Sequence, residues 1–324
     1  MSEPHPRREE EIIFLLSLPR SGSTLLQRVL ASHPEVSTVP EPWILLPAFY
    51  ATTDQLEAPY DQASFLKALT GLEADLPEGR ESYWEALKVG YLQLYGALGD
   101  PSTQYFLDKT PRYHMIGPQL ARFFPKAKYI ILYRNPLAVA ASMIEAGFTR
   151  FQQRDPYDHD LGQGPANLIS TAEALGSRCI ELRFEDLVSR SEKELSRLQK
   201  FLELQGQMSL DDAPVIGGGE GMGDPTGPKH YRTISSEPVA KWERTLATPL
   251  RRRWAQAYLD RLGDRTLQRM GYDPADLRSR LSDLPWDPRG VALDARDLVS
   301  SLAYEIRRGP LRWVDHSTDD QGGT

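Results

Sequence analysis

Cysteine is nearly absent from this sequence. Cys179 stands alone among 324 residues, so no disulfide can close within the chain. That usage fits a reducing compartment. No run approaches the roughly 18 apolar residues needed to span a bilayer. The first apolar stretch, Ile12 to Leu18, is broken at once by Pro19 and Arg20. The polar and acidic MSEPHPRREEE ahead of it lacks the form of a signal peptide, so a cytoplasmic protein is the expectation. Basic charge is not in excess either: 38 Lys and Arg face 45 Asp and Glu, a net charge of −7. A general nucleic-acid binder is disfavoured, while a local basic site stays open. The histidines and the lone cysteine form no cluster with ligand spacing, so no metal site is expected. Internal repeats and low-complexity blocks are missing too.

What remains has ordinary globular proportions, 40% hydrophobic and 26% charged, and is long enough for one large α/β domain or two smaller ones. Ile12 to Leu16 is wholly apolar, as in a central parallel strand buried on both faces. Val36–Val39, Tyr105–Leu107, Lys128–Tyr133 and Cys179–Phe184 read as further strands. Helical patterns fall at 24–30, over much of 43–104 (best at Glu81–Leu98), Tyr113–Phe124, 137–147, Ser191–Leu202 and 239–265. Alternating strands and helices predict an α/β, P-loop-type three-layer fold with a mainly parallel central sheet flanked by helices. The domain would span 12–288, after a disordered lead-in at 1–11 and before a helical extension at 289–314 and a disordered tail at 315–324. Residues 214–238, rich in glycine, read as a long loop of the functional or mobile kind. In such folds ligands bind at the carboxyl ends of strands, so the residues just after each strand matter most.

After the first strand comes S-L-P-R-S-G-S-T, residues 17–24. Against the P-loop pattern G-x-x-x-x-G-K-[ST], Ser17 replaces the first glycine and Gly22 keeps the second. Ser23 stands where the lysine would be, and Thr24 keeps the hydroxyl. The parts that hold an anion survive: a glycine for close backbone approach, hydroxyls of Ser21, Ser23 and Thr24, and a helix N-terminus. The lysine that reaches a triphosphate is lost. A single 5′-phosphate suits this cradle better than a magnesium nucleoside triphosphate.

The segment L-P-R-S-G-S-T-L-L resembles the 5′-phosphosulfate loop of sulfotransferases that use 3′-phosphoadenylyl sulfate (PAPS), closest to the tyrosylprotein sulfotransferase-like and bacterial branch. The resemblance implies that Pro19, Arg20, Ser21, Gly22, Ser23 and Thr24 bind the donor. The stretch Tyr129–Pro136 with Ala138–Ser142 resembles the family's 3′-phosphate segment, which implies donor contacts from Arg134 and Ser142. A guanidinium leaving a buried strand can grip a phosphate bidentately. Glu41, 21 residues past Arg20, stands where those relatives carry a catalytic base, and His114 is the alternative base. Lys109, in L-D-K-T-P, implies a cation that stabilises the transition state with help from Arg20. Lys241, after the 223–230 loop, implies a further phosphate contact, and Lys229 is a looser candidate. Leu182–Leu187 resembles the family's R-[YF]-E-D-L junction, with Phe184 where some relatives place a tyrosine hydroxyl on the nucleotide. A further arginine of those relatives is Ala146 here, with Arg150 a candidate substitute.

The implied activity is in-line transfer of a sulfonate from PAPS to an acceptor hydroxyl, releasing PAP and needing no metal. Two alternatives stand beside it: a P-loop kinase or nucleotide phosphotransferase, and a non-catalytic PAP- or PAPS-binding protein. The acceptor is open among small molecules, sugars, lipids and peptides. Trp43, Phe49, Tyr50 and Phe148 are candidate lining for its pocket, although aromatic residues more often build core.

Overall fold

The computed structural model describes residues 5–54, 60–146, 159–206 and 237–285, with isolated positions beside them at 208, 216, 290–292, 294, 295 and 299. Five parallel strands form the sheet: β1 (Ile12–Ser17), β2 (Val36–Thr38), β3 (Tyr105–Asp108), β4 (Lys128–Tyr133) and β5 (Cys179–Arg183). Their order across the sheet is β2-β3-β1-β4-β5. The α/β three-layer expectation therefore holds, with all five strands where hydrophobic patterning puts them.

Strand alternation divides the core into two layers. Ile12, Phe14 and Leu16 of β1 face one side, with Phe106, Tyr129 and Ile131. Ile13 and Leu15 face the other, with Leu107, Ile130 and Leu132. Both faces are covered, which is why β1 is a continuous apolar run rather than an alternating one. The second side is closed by α1 (Ser23–Ala31) through Leu25, Leu26, Val29 and Leu30, and by α9 (Ser191–Leu202) through Leu198 and Leu202. The first side is closed by α2 (Leu45–Ala51), α5 (Gly117–Phe123), α6 (Pro136–Glu145), α7 (Gly164–Leu175) and the helix Pro249–Leu262. Each fully buried Leu, Ile or Phe contributes about 1.5–3 kcal/mol. Between α2 and β3 lie the paired helices α3 (Gln62–Asp75) and α4 (Arg80–Leu98).

Several elements differ from the sequence expectation. The segment 113–124 is not one helix: a 3₁₀ stretch, Pro111–Ile116, precedes α5 because Gly117 and Pro118 restart the turn. Phe184 does not end β5 but opens α8 (Phe184–Ser189). The helical stretch 239–265 is two helices, Glu237–Thr245 and Pro249–Leu262, with Thr248 capping the second through the Arg251 N–H. The lead-in is anchored at Arg7, whose backbone N–H donates to the Leu92 carbonyl at 3.0 Å. Arg7 is buried and donates to the carbonyls of Asp100 and Gln104 and to the Thr103 hydroxyl. The tail at 315–324 and most of the 214–238 loop and of the 289–314 extension lie outside the described residues. Among the described residues, no helix is long and apolar enough to cross a membrane.

Candidate functional site

Sheet register brings the expected site residues to one edge. Ser17 pairs with Leu132, and Tyr133 with Arg183, so the turns after β1, β4 and β5 leave side by side. On the other flank Thr38 pairs with Leu107, so the turns after β2 and β3 also leave together. Strand β2, which leads into Glu41, is not a neighbour of β1 in the sheet. Instead β3 lies between them, and Glu41 meets the residue that follows β3.

The cradle begins at Pro19. Arg20 takes φ +67° and Gly22 φ +90°, two left-handed residues in succession around Ser21. Only glycine adopts that conformation at no steric cost, and here a side chain is excluded twice over. A Cβ on Gly22 would lie 2.4 Å from the Phe184 ring. Phe184 has no hydroxyl to offer a nucleotide, but it is the floor on which the cradle sits. α1 starts at Ser23, and its first N–H groups have no intrahelical acceptor. The Ser21 hydroxyl is buried and has no hydrogen-bond partner among the described residues, a donor that a phosphate or sulfate oxygen would satisfy.

Arg134 comes off β4 and lies over the Phe184 ring, its guanidinium carbon 4.6 Å from the centroid. Its NH1 donates to the Arg20 carbonyl at 2.7 Å. Arg20 in turn donates through Nε to the Ser142 hydroxyl on α6 at 3.2 Å. Arg20, Arg134 and Ser142 thus converge, two cations and a hydroxyl beside the helix N-terminus. Guanidinium groups and a hydroxyl so placed are donors suited to phosphate oxygens.

Lys109 and Glu41 form the second cluster. Lys109 Nζ donates to Glu41 Oε1 at 2.7 Å, with the lysine side chain 2% exposed and the glutamate 14%. Glu41 Oε2 accepts from the Trp43 indole N–H at 3.1 Å. Trp43 sits at φ +56°, a conformation bulky residues avoid and one that costs about 1–3 kcal/mol. Its backbone N–H reaches the Thr110 hydroxyl at 3.4 Å. Beneath Lys109, Asp108 is fully buried and accepts from Tyr95, Thr110 and Tyr113. Burial pushes its carboxyl up to about 6, against those three hydrogen bonds and the Lys109 charge, which pull it down.

His114 does not share this cluster. It is completely buried, with Nε2 3.0 Å from Asp160 Oδ1, and Arg112 holds the other Asp160 oxygen at 2.8 Å. Lys241 is exposed and pairs with Glu145, one turn beyond Ser142 on α6, at 2.5 Å. Burial alone would raise the Glu145 carboxyl, but hydrogen bonds from Lys241 and Thr245 carry it below its ordinary value. Of the proposed acceptor lining, Phe49 is core, stacked on Trp84 with centroids 5.1 Å apart. Tyr50 is half-buried, and burial raises its phenol. Phe148, Arg150 and Lys229 lie outside the described residues. Sequence reasoning missed Asp108, Thr110, Phe184 as the cradle floor and Glu145. The D-K-T order around Lys109 was the one signal that could have shown the first two.

A parallel α/β sheet with a lysine-free, serine-rich turn after its central strand and a paired Glu and Lys at the same edge defines a P-loop-type fold. The chain belongs to the sulfotransferase family, whose profile matches residues 12–207. It is 26% identical over 218 residues to a putative protein-tyrosine sulfotransferase of Caenorhabditis briggsae, 64% of this chain and 71% of that protein. It is 35% identical over 136 residues to the nodulation protein NoeE of Sinorhizobium fredii, 41% of this chain but only 30% of NoeE. Among solved structures it resembles a sulfotransferase domain from the curacin biosynthetic pathway, with a TM-score of 0.54 and 26% identity, covering 84% of this chain and 99% of that one. The chain is a sulfonate-transferring enzyme with PAPS as donor and PAP as product.

Proposed function

We propose that the cradle at 19–24 holds the 5′-phosphosulfate of PAPS, that Arg134 and Ser142 hold its 3′-phosphate, and that Glu41 is the base. The observation that carries this reading is the Glu41–Lys109 pair, a carboxylate and a cation set side by side at the sheet edge that bears the cradle. PAPS supplies the sulfonate: an acceptor oxygen–sulfur bond forms while the bond from sulfur to the 5′-phosphate oxygen breaks. Glu41 takes the acceptor's proton. Lys109, with Arg20, offsets the charge that builds on the departing phosphate. Positioning and electrostatics carry most of the barrier lowering. Lys241 adds a phosphate contact when it leaves Glu145. His114 is set aside as base, because its ring is completely buried in the core with Nε2 held on Asp160.

The acceptor we favour is a tyrosine hydroxyl of a peptide, the acceptor that the names of several relatives state. The lone cysteine supports work in the cytoplasm, which fractionation of the source cells would check. Labelled PAPS offered with tyrosine peptides, phenols, sugars and alkyl alcohols tests the acceptor class. Glu41→Gln tests the base: kcat should fall by about 10²–10⁴-fold, with PAP binding retained. A Glu41→Gln enzyme as fast as wild type would remove the assignment.

A further inference from the structure

We propose that Asp108 is a positioning residue for the transfer: from inside the core it fixes the turn that carries Glu41. The inference rests on the reading of Glu41 as the base.

Asp108 ends β3 and is fully buried. Its Oδ2 accepts from the Tyr95 hydroxyl at 2.7 Å and the Tyr113 hydroxyl at 3.2 Å, and its Oδ1 accepts from Thr110 at 3.1 Å. Two of those three donors also accept from the Glu41 turn. Thr110 Oγ1 takes the Trp43 N–H at 3.4 Å, and Tyr113 Oη takes the Leu45 N–H at 3.2 Å. A hydroxyl has one proton and spare lone pairs. While Asp108 claims that proton, the lone pairs are left for the turn's N–H groups. One carboxylate thereby sets the direction of both relays, and the backbone is pinned on either side of Ile44.

Between those anchors and Glu41 stands Trp43, held at φ +56° with its indole N–H on Glu41 at 3.1 Å. A tryptophan keeps such a backbone only where its surroundings over-determine it. Without the Thr110 and Tyr113 anchors the turn is free to relax, and the indole that holds one Glu41 oxygen leaves with it. Tyr95 supplies a control. It donates to the same carboxylate from α4, but among the described residues it has no hydrogen bond to the turn. A polar knot that merely stabilised β3 would treat all three donors alike. A positioning device would separate Tyr95 from Thr110 and Tyr113.

The test uses the full chain labelled with 15N at its tryptophan indoles. The Trp43 signal is identified by its loss in Trp43→Phe. In Thr110→Val and in Tyr113→Phe it should shift, while the other five indole signals hold and certify the fold. In Tyr95→Phe and in Thr110→Ser, which keeps the hydroxyl, it should stay. Turnover of labelled PAPS with p-nitrophenol should show kcat lowered about 10- to 100-fold in the first pair, as a misplacement near 1 Å costs, with the KM for PAPS within about twofold of wild type. A Trp43 signal that stays put in Thr110→Val and Tyr113→Phe, or moves equally in Tyr95→Phe, overturns the inference. The two readings fail separately. A fully active Glu41→Gln removes the base assignment whatever the spectra show. An inactive Glu41→Gln beside a fully active Thr110→Val removes the positioning role alone.

Discussion

Lys109 and Glu41 stand 68 positions apart in the chain, yet the ammonium donates to the carboxylate at 2.7 Å with both side chains largely withdrawn from water. Removing one member of such a pair leaves the other buried and uncompensated, which costs more than the pair itself contributes. Lys109→Met should therefore destabilise the fold by about 3 kcal/mol. Glu41→Gln/Lys109→Met should recover part of that loss. Urea unfolding of the two variants checks it, and a double variant less stable than Lys109→Met would contradict it.

Asp108 makes stability depend on pH in an unusual direction. Its folded carboxyl titrates near 6, above its ordinary value of 3.8, so between those values the folded chain binds the proton that the unfolded chain has released. Its contribution is thus greatest below about pH 4 and declines as pH rises through 6, by on the order of 3 kcal/mol in all. The stability of wild type minus that of Asp108→Asn should fall across that window. A difference that is flat from pH 4 to 7 would exclude the effect.

Gly22 is costly to replace. Its φ of +90° strains any other residue, and a Cβ would strike the Phe184 ring at 2.4 Å. Gly22→Ala should cost about 1–3 kcal/mol and weaken PAP binding as the cradle shifts. Calorimetric titration and thermal unfolding would measure the two effects. The added substitution Phe184→Leu should relieve the clash but not the φ penalty, and so restore only part of the loss.

Arg134 stacks on Phe184 and bonds the Arg20 carbonyl at the same time. Lysine keeps the charge but has neither the flat face nor the fork. Arg134→Lys should weaken PAP binding by about 10- to 100-fold, the worth of a charge-assisted hydrogen bond, and should weaken adenosine 5′-phosphate much less. Equal losses for the two ligands would mean that Arg134 does not read the 3′-phosphate.

Much of the fold was legible along the chain. Ile12 to Leu16 is apolar without a break because that strand is covered on both sides, and β3 and β4 carry the same signal, while β2 and β5 at the sheet edges are only partly apolar. The passage of Phe184 from strand to helix was not legible, since it depends on what packs beside it, whereas the restart at Gly117 and Pro118 is a local signal within the chain. The candidate site was readable as residue types placed after strands. The order β2-β3-β1, which gives Glu41 the lysine after β3 as its neighbour, was not.

The sequence by itself determined the local devices: five strands, a glycine turn that can take a left-handed backbone, and a lysine, a glutamate and an arginine placed just past strand ends. Those follow from backbone sterics and hydrophobic period, which act over a few residues. Only the tertiary structure decided that Phe184 lies under both Gly22 and Arg134, that Glu41 meets Lys109, and that Asp108 collects three hydroxyls beneath them. Such contacts join segments far apart in the chain. They are chosen by how the two faces of the sheet bury their apolar surface while pairing the polar groups taken in with it, a competition no single segment records.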